Sequence, residues 1–126
     1  MGSTMSPARE NKARERRIEM EAVVDAYNSD ERAMGWYYYL EGRLKVPFKA
    51  RCKSKREVSP LRLREEITVL GMAPEKECES EMFVRVRWHG RRLAVPLSQL
   101  EPLAADPGTK EAVADWHYWL QRGYEF

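Results

Sequence analysis

Hydrophobic positions recur with two different periods along the chain, and the change of period falls near Pro47. Before it, apolar residues return every three or four positions, which is the spacing of an amphipathic helix. Ile18, Ala22 and Ala26 mark the first such stripe, in residues 9–27. The almost wholly charged segment before Ile18 is expected to fray into solvent. Beyond Pro47, apolar and polar residues alternate, which is typical of strands with one solvated face.

A short polar break separates the first predicted helix from a second one over residues 30–44. Asn28 followed three residues later by Glu31 can cap its start, as can Ser29 alone. Pro47 cannot continue the helix. Two amphipathic helices joined by so short a break predict an antiparallel α-hairpin.

Five short strands are predicted after this hairpin. They cover residues 48–53, 66–72, 82–89, 92–97 and 101–103. His89-Gly90 is a tight-turn pattern between the third and fourth strands. Pro96 cannot donate a ladder hydrogen bond, so it should lie at a strand end or a sheet edge. Residues 98–100 are predicted to form one 3₁₀ turn.

The chain closes with a helix that begins at Asp106-Pro107, an N-cap followed by proline in the first turn. Gly123 is a natural stop. The element order α-α-β-β-β-β-β-α predicts an α+β fold. We expect a small five-stranded SH3-like or Sm-like bent β-barrel, with an N-terminal α-hairpin and a C-terminal helix.

Length and composition favour one domain, assigned to residues 9–126 of the 126. Residues 1–8 are expected to be a disordered lead or a remnant of cloning. No apolar run is long enough to span a membrane, and no apolar signal region is found at the N-terminus. A bacterial-type cytoplasm is therefore the expected location. The formal net charge of +2 does not identify a partner.

Four glutamates stand at alternate positions between the second and third predicted strands: Glu75, Glu77, Glu79 and Glu81. Calcium takes six to eight oxygen ligands at about 2.3–2.6 Å, and magnesium fits less well because it demands a strict octahedron. Alternate residues of a straight strand lie about 6.6–6.8 Å apart, so the four carboxylates can share one ion only if the loop curls. A plain solvated hairpin tip is the alternative. The EF-hand pattern is absent.

A second acidic group comprises Asp25, Asp30, Glu31 and Glu41. Asp30 and Glu31 fall in the first turn of the second predicted helix, where carboxylates interact favourably with the helix dipole. That role explains them without a ligand.

Zinc and catalysis find little support. Cys52, Cys78, His89 and His117 match no zinc-finger spacing, so the cysteines are expected to be buried thiols. The sequence contains no glycine-rich phosphate loop and no nucleophile elbow. A non-catalytic protein is expected.

An interaction module that binds RNA or a protein is the second hypothesis. Its basic strand and loop would comprise Lys49, Arg51, Lys53, Lys55 and Arg56. Attraction to phosphates needs such a face. Stacking aromatics are sparse there, because tyrosine and tryptophan are concentrated in the predicted helices.

Three long segments carry a family resemblance. They are residues 31–48 (ERAMGWYYYLEGRLKVPF), 69–102 (VLGMAPEKECESEMFVRVRWHGRRLAVPLSQLEP) and 115–126 (DWHYWLQRGYEF). The sequence resembles the small calcium-binding proteins of cyanobacteria, the CcbP type. The resemblance implies a soluble, non-EF-hand calcium (Ca²⁺) binder that buffers or senses free calcium, with a bent β-barrel and flanking helices.

The resemblance also ranks the candidate ligands. The APEKECESE segment matches the family's acidic loop, so it implies Glu75, Glu77, Glu79 and Glu81 as calcium ligands. Glu41, in the matching YYYLE segment, ranks second. Lys76 interrupts the acidic loop, and calcium affinity depends on the charge at the site.

Overall fold

The computed structural model describes residues 9–126, and the predicted disordered lead lies outside that range. The helices are α1 (Lys12–Arg17), continued by a π-helical turn (Ile18–Ala22), α2 (Ser29–Arg43) and α3 (Pro107–Gln121). The strands are β1 (Phe48–Cys52), β2 (Glu66–Met72), β3 (Phe83–Trp88), β4 (Arg91–Pro96) and β5 (Leu100–Ala104). The 3₁₀ turns Glu75–Cys78 and Leu97–Gln99 follow β2 and β4. The predicted α+β class is confirmed. None of these helices is long and apolar enough to cross a membrane.

The strands form one antiparallel sheet in the order β4-β3-β2-β1-β5. The edge strands β4 and β5 do not pair with each other in the described part of the chain, so the sheet is open. The predicted SH3-like or Sm-like barrel is therefore not confirmed. His89 and Gly90 have φ values of +49° and +75° and form the predicted tight turn. Pro96 ends an edge strand, where its missing donor is tolerated.

An aromatic cluster joins α2 to α3. Trp36 is fully buried, and its ring centroid lies 5.1 Å from that of Trp116 in an edge-on arrangement. Trp119 stacks on Trp116 at 5.6 Å, and the C-terminal Phe126 packs against Trp119 at 5.4 Å. Buried β-branched residues of β3 and β4 complete the core beneath the helices. The cluster fixes α2 firmly against the rest of the fold.

Helix α1 contributes no buried residue and is held by polar contacts. The carboxylate of Asp115, which is fully buried in α3, accepts from Arg14 at 2.7 Å and from Arg17 at 2.8 and 2.9 Å. The Tyr39 hydroxyl of α2 donates to it at 2.6 Å. Burial and this hydrogen bond raise the pKa of Tyr39. The expectation that the segment before Ile18 frays into solvent is wrong, because Asp115 ties it to two other helices.

We expect Asp115→Asn to lower the free energy of unfolding by about 2 to 4 kcal/mol, because it removes the buried counter-charge of Arg14 and Arg17 and leaves Arg17 the partly exposed Glu111 at 3.4 Å. Urea denaturation measures the loss. The control is Glu66→Gln, which removes the exposed Arg51–Glu66 pair and should cost less than about 1 kcal/mol. Equal losses in the two variants would contradict this role of Asp115.

Gly35 marks a close approach between α2 and the π-helical turn. A Cβ placed on Gly35 would lie 2.2 Å from the backbone oxygen of Ala22, so a larger residue requires the two segments to separate. Gly42, in the same helix, has nothing within 4 Å of its Cβ position.

The two glycines should therefore respond to alanine with opposite signs. Gly35→Ala should destabilise the protein by about 1 to 3 kcal/mol through overpacking. Gly42→Ala should stabilise it by up to about 1 kcal/mol, since alanine is the better helix former. Thermal unfolding followed by circular dichroism measures both, and stabilisation by Gly35→Ala would show that the approach is not tight.

Candidate metal centre

The acidic segment between β2 and β3 is curled. Glu75–Cys78 forms a 3₁₀ turn. Its first hydrogen bond runs from the Glu77 amide to the Pro74 carbonyl, at 2.9 Å. Cys78 is fully buried and accepts from the Phe83 amide at 3.3 Å, which anchors the turn. Burial raises the pKa of the Cys78 thiol. The curl that shared coordination requires is thus present.

Helix α2 positions this acidic turn through two consecutive tyrosines. The Tyr37 hydroxyl donates to the buried Ala73 carbonyl at 2.8 Å, just before the turn begins. The Tyr38 hydroxyl donates to the Glu75 carboxylate at 2.5 Å, and this hydrogen bond raises the pKa of Tyr38. One candidate ligand, Glu75, is therefore already oriented by the helix.

An open groove separates the acidic turn from the beginning of α2. Glu75 and Glu79 line it on the side of the turn, and Asp30 lines it on the side of the helix. Ala33 and Met34 of α2 complete the wall, and Lys76 places one cation in the groove. The sequence explained Asp30 by its place at a helix start, and only the docking of α2 brings it to the turn.

The other predicted ligands lie apart from this groove. Both oxygens of Glu81 are paired with Arg56, at 2.6 and 3.1 Å. Glu41 lines a separate cavity beside Gly71 and Met72, and Glu77 is exposed on the turn. Within residues 9–126, no three Asp, Glu, His or Cys side chains are assembled as a metal site.

The donor chemistry fits a hard cation, because every candidate ligand is a carboxylate. The number of carboxylates at the groove is too small to coordinate calcium alone. Of the candidate ligands, Glu75, Glu79 and Asp30 line the groove, and Glu75 is held by Tyr38. A calcium ion could take these oxygens together with water, and further carboxylates would have to move to join them.

The structure does not assemble the four zinc candidates. Cys52 and Cys78 are both free and buried, and the Cys52 thiol donates to the Ser54 carbonyl at 3.1 Å. His117 Nε2 lies 3.3 Å from the Leu97 carbonyl, whereas His89 lies on the β3–β4 turn, 3.7 Å from a Glu65 oxygen.

The predicted basic face is partly neutralised. Arg51 pairs with Glu66 and Arg56 pairs with Glu81. The exposed Lys49 of β1 forms no ion pair within the described residues. The binding of RNA or a protein through this face remains a prediction without further support.

Fold and site together define a small α+β protein with an acidic turn docked against a helix. The sequence model of the CcbP family, described as calcium binding, matches residues 16–120. The chain belongs to this calcium-binding family, which confirms the resemblance seen in the sequence.

Two solved structures are similar over nearly the whole chain. The crystal structure of Anabaena CcbP has 44% sequence identity and a TM-score of 0.86, covering 97% of this chain and 100% of its own. A calcium-binding protein in its calcium-binding form has 45% identity and a TM-score of 0.80, covering 92% of this chain and 95% of its own. A comparison with curated protein sequences gave no match.

His117 gives the fold a specific sensitivity to acid. Burial, reinforced by the charge of Lys53, lowers the pKa of His117 to about 4. The neutral ring donates from Nε2 to the Leu97 carbonyl.

Stability should fall as the pH drops from about 6.5 to about 4, because the unfolded chain takes up a proton at His117 before the folded protein does. The loss attributable to this residue should approach about 2 to 3 kcal/mol. Urea denaturation over a pH series measures it. His117→Gln retains a donor and does not titrate, so its profile should be flatter, and an identical profile would exclude His117 as the cause.

Proposed function

We propose that this protein is a non-catalytic calcium-binding protein, a buffer or sensor of free calcium, whose main site is the groove between the Glu75–Cys78 turn and α2. The observation that carries the proposal is that Glu75 and Glu79 face Asp30 across this groove. Membership of the CcbP family supports calcium as the ion. The 45%-identical relative in its calcium-binding form supports it further. A bacterial cytoplasm, expected from the sequence, completes the proposal.

In this proposal the curled turn supplies the first oxygens and water completes the coordination. Calcium tolerates such irregular sets, whereas magnesium requires a regular octahedron. Glu77, Glu81 and Glu41 are additional ligands only if the turn and its surroundings rearrange. Lys76 in the groove reduces the negative potential, so we expect a weaker site than a fully acidic loop would form.

We also propose that the sheet is a partly open member of the SH3-like class. Its support is that β1 pairs with both β2 and β5, and that the 3₁₀ turn Leu97–Gln99 links β4 to β5. In that arrangement the β2–β3 connection lies at the end of the sheet that α2 covers, which agrees with the Tyr37–Ala73 contact.

Calcium should raise the melting temperature of the wild-type protein, and a chelator should reverse the rise, because an ion that binds only the folded state stabilises it. Isothermal titration calorimetry should show that Glu75→Gln/Glu79→Gln weakens binding about tenfold or more, since affinity follows the charge count of the site.

Glu101→Gln, on edge strand β5, is the control for the loss of an exposed carboxylate and should leave calcium affinity unchanged. Absence of both binding heat and a melting shift in wild type at about 10 mM calcium, which is about ten times the weakest ordinary dissociation constants of about 1 mM, would refute the proposed function.

A further inference from the structure

Arg56 holds the last glutamate of the acidic segment in a paired geometry. Its Nη2 lies 2.6 Å from Glu81 Oε2, and its Nη1 lies 3.1 Å from Glu81 Oε1. Nη1 also donates to the Ser98 hydroxyl at 3.0 Å. Two parallel, charge-assisted hydrogen bonds are the strongest contact that a guanidinium makes with a carboxylate. The Glu81 carboxylate is therefore already paired with a positive charge, the Arg56 guanidinium.

This pair joins two different connections of the sheet. Arg56 lies between β1 and β2, whereas Glu81 lies between the 3₁₀ turn and β3. The side chains are 37% and 21% exposed, so water screens the pair only in part. A contact of this kind fixes the Glu81 carboxylate in one orientation, and Glu81 does not line the groove shared by Glu75 and Glu79.

We infer that Arg56 is a tethered competitor of calcium: its guanidinium occupies Glu81 in the calcium-free protein and is displaced when the ion recruits that carboxylate. The inference rests on the proposed function and explains why Glu81 does not join Glu75 and Glu79 at the groove. Arg56 thereby sets the calcium affinity, because the ion must replace two charge-assisted hydrogen bonds before it gains a Glu81 oxygen.

Displacement of Arg56 by calcium would also change the contacts of the β1–β2 connection, because Arg56 lies in it. Displacement releases the Arg56 guanidinium from Glu81 and leaves it the 3.0 Å hydrogen bond to the Ser98 hydroxyl. The connection stays attached at its start, because the Gln99 side chain donates to the Ser54 carbonyl at 2.9 Å. The change is therefore confined to the exposed residues around Arg56, including Val58, which is already 62% exposed.

Lys55 distinguishes direct competition from general electrostatics. It precedes Arg56 in the β1–β2 connection, is exposed, and forms no ion pair within residues 9–126. Lys55→Gln removes one positive charge beside Arg56 without freeing a carboxylate. It is the matched control for Arg56→Gln, which removes the same charge and does free one.

Calorimetric calcium titrations of the full chain test the inference. Arg56→Gln should bind calcium about fivefold or more tightly than wild type, and Lys55→Gln no more than about twofold, because only the first breaks a paired contact. Arg56→Lys keeps the charge but loses the paired geometry, so its affinity should be intermediate. With Glu81→Gln already present, Arg56→Gln should change nothing further.

A second readout is the Arg56 side-chain Nε–Hε signal in ¹⁵N NMR. Calcium should shift it in wild type and leave it unmoved in Glu81→Gln.

Each outcome of these titrations either supports or overturns the inference. If Arg56→Gln has no more effect than Lys55→Gln, or if calcium does not shift the Arg56 signal, direct competition is overturned while the calcium proposal stands. If Arg56→Gln binds calcium and wild type does not, calcium does not displace Arg56 in the natural chain, and the inference fails together with the proposed function. If neither protein binds, the inference and the proposed function both fail.

Discussion

The buried hydrogen bond from the Tyr37 hydroxyl to the Ala73 carbonyl determines where the acidic turn lies. The Ala73 amide already closes the β2–β3 ladder by donating to the Phe83 carbonyl at 3.0 Å. Ala73 is fully buried, so its carbonyl must find a partner from another element. A buried carbonyl left unpaired costs about 1 to 3 kcal/mol, and α2 supplies the donor that avoids this cost. The groove between helix and turn exists because that donor is on α2.

Local sequence signals predicted the elements because each depends on neighbouring residues. The Asn28 side chain accepts from the Glu31 amide, and Asp106 accepts from the amides of the first turn of α3, as their positions indicated. Periodicity located all five strands for the same reason. Closure of the sheet could not be predicted. The edge strands β4 and β5 follow one another in the chain, and whether they pair depends on how the 3₁₀ turn Leu97–Gln99 and the twist of the whole sheet direct them.

The candidate site shows more clearly what the sequence alone does not predict. Four glutamates at alternate positions look equivalent in the sequence. Glu75 and Glu77 lie in a 3₁₀ turn, which rotates successive residues by about 120°, whereas Glu79 caps that turn and Glu81 lies beyond it. Glu75 meets Tyr38, Glu79 faces the groove, Glu77 is solvated, and Glu81 meets Arg56. No spacing rule could have identified these partners. They follow from which elements dock beside the turn.

The run Trp36-Tyr37-Tyr38-Tyr39 on α2 holds the helix in place and also positions the acidic turn. Successive residues of a helix point about 100° apart, so Trp36 and Tyr39 anchor the helix in the aromatic and Asp115 contacts while Tyr37 and Tyr38 serve the acidic turn. The helix is thus fixed by contacts that need no ion. In small zinc domains the metal and the fold are inseparable. Here the aromatic and Asp115 contacts hold α2 without an ion, so the fold and the position of the acidic turn do not depend on one.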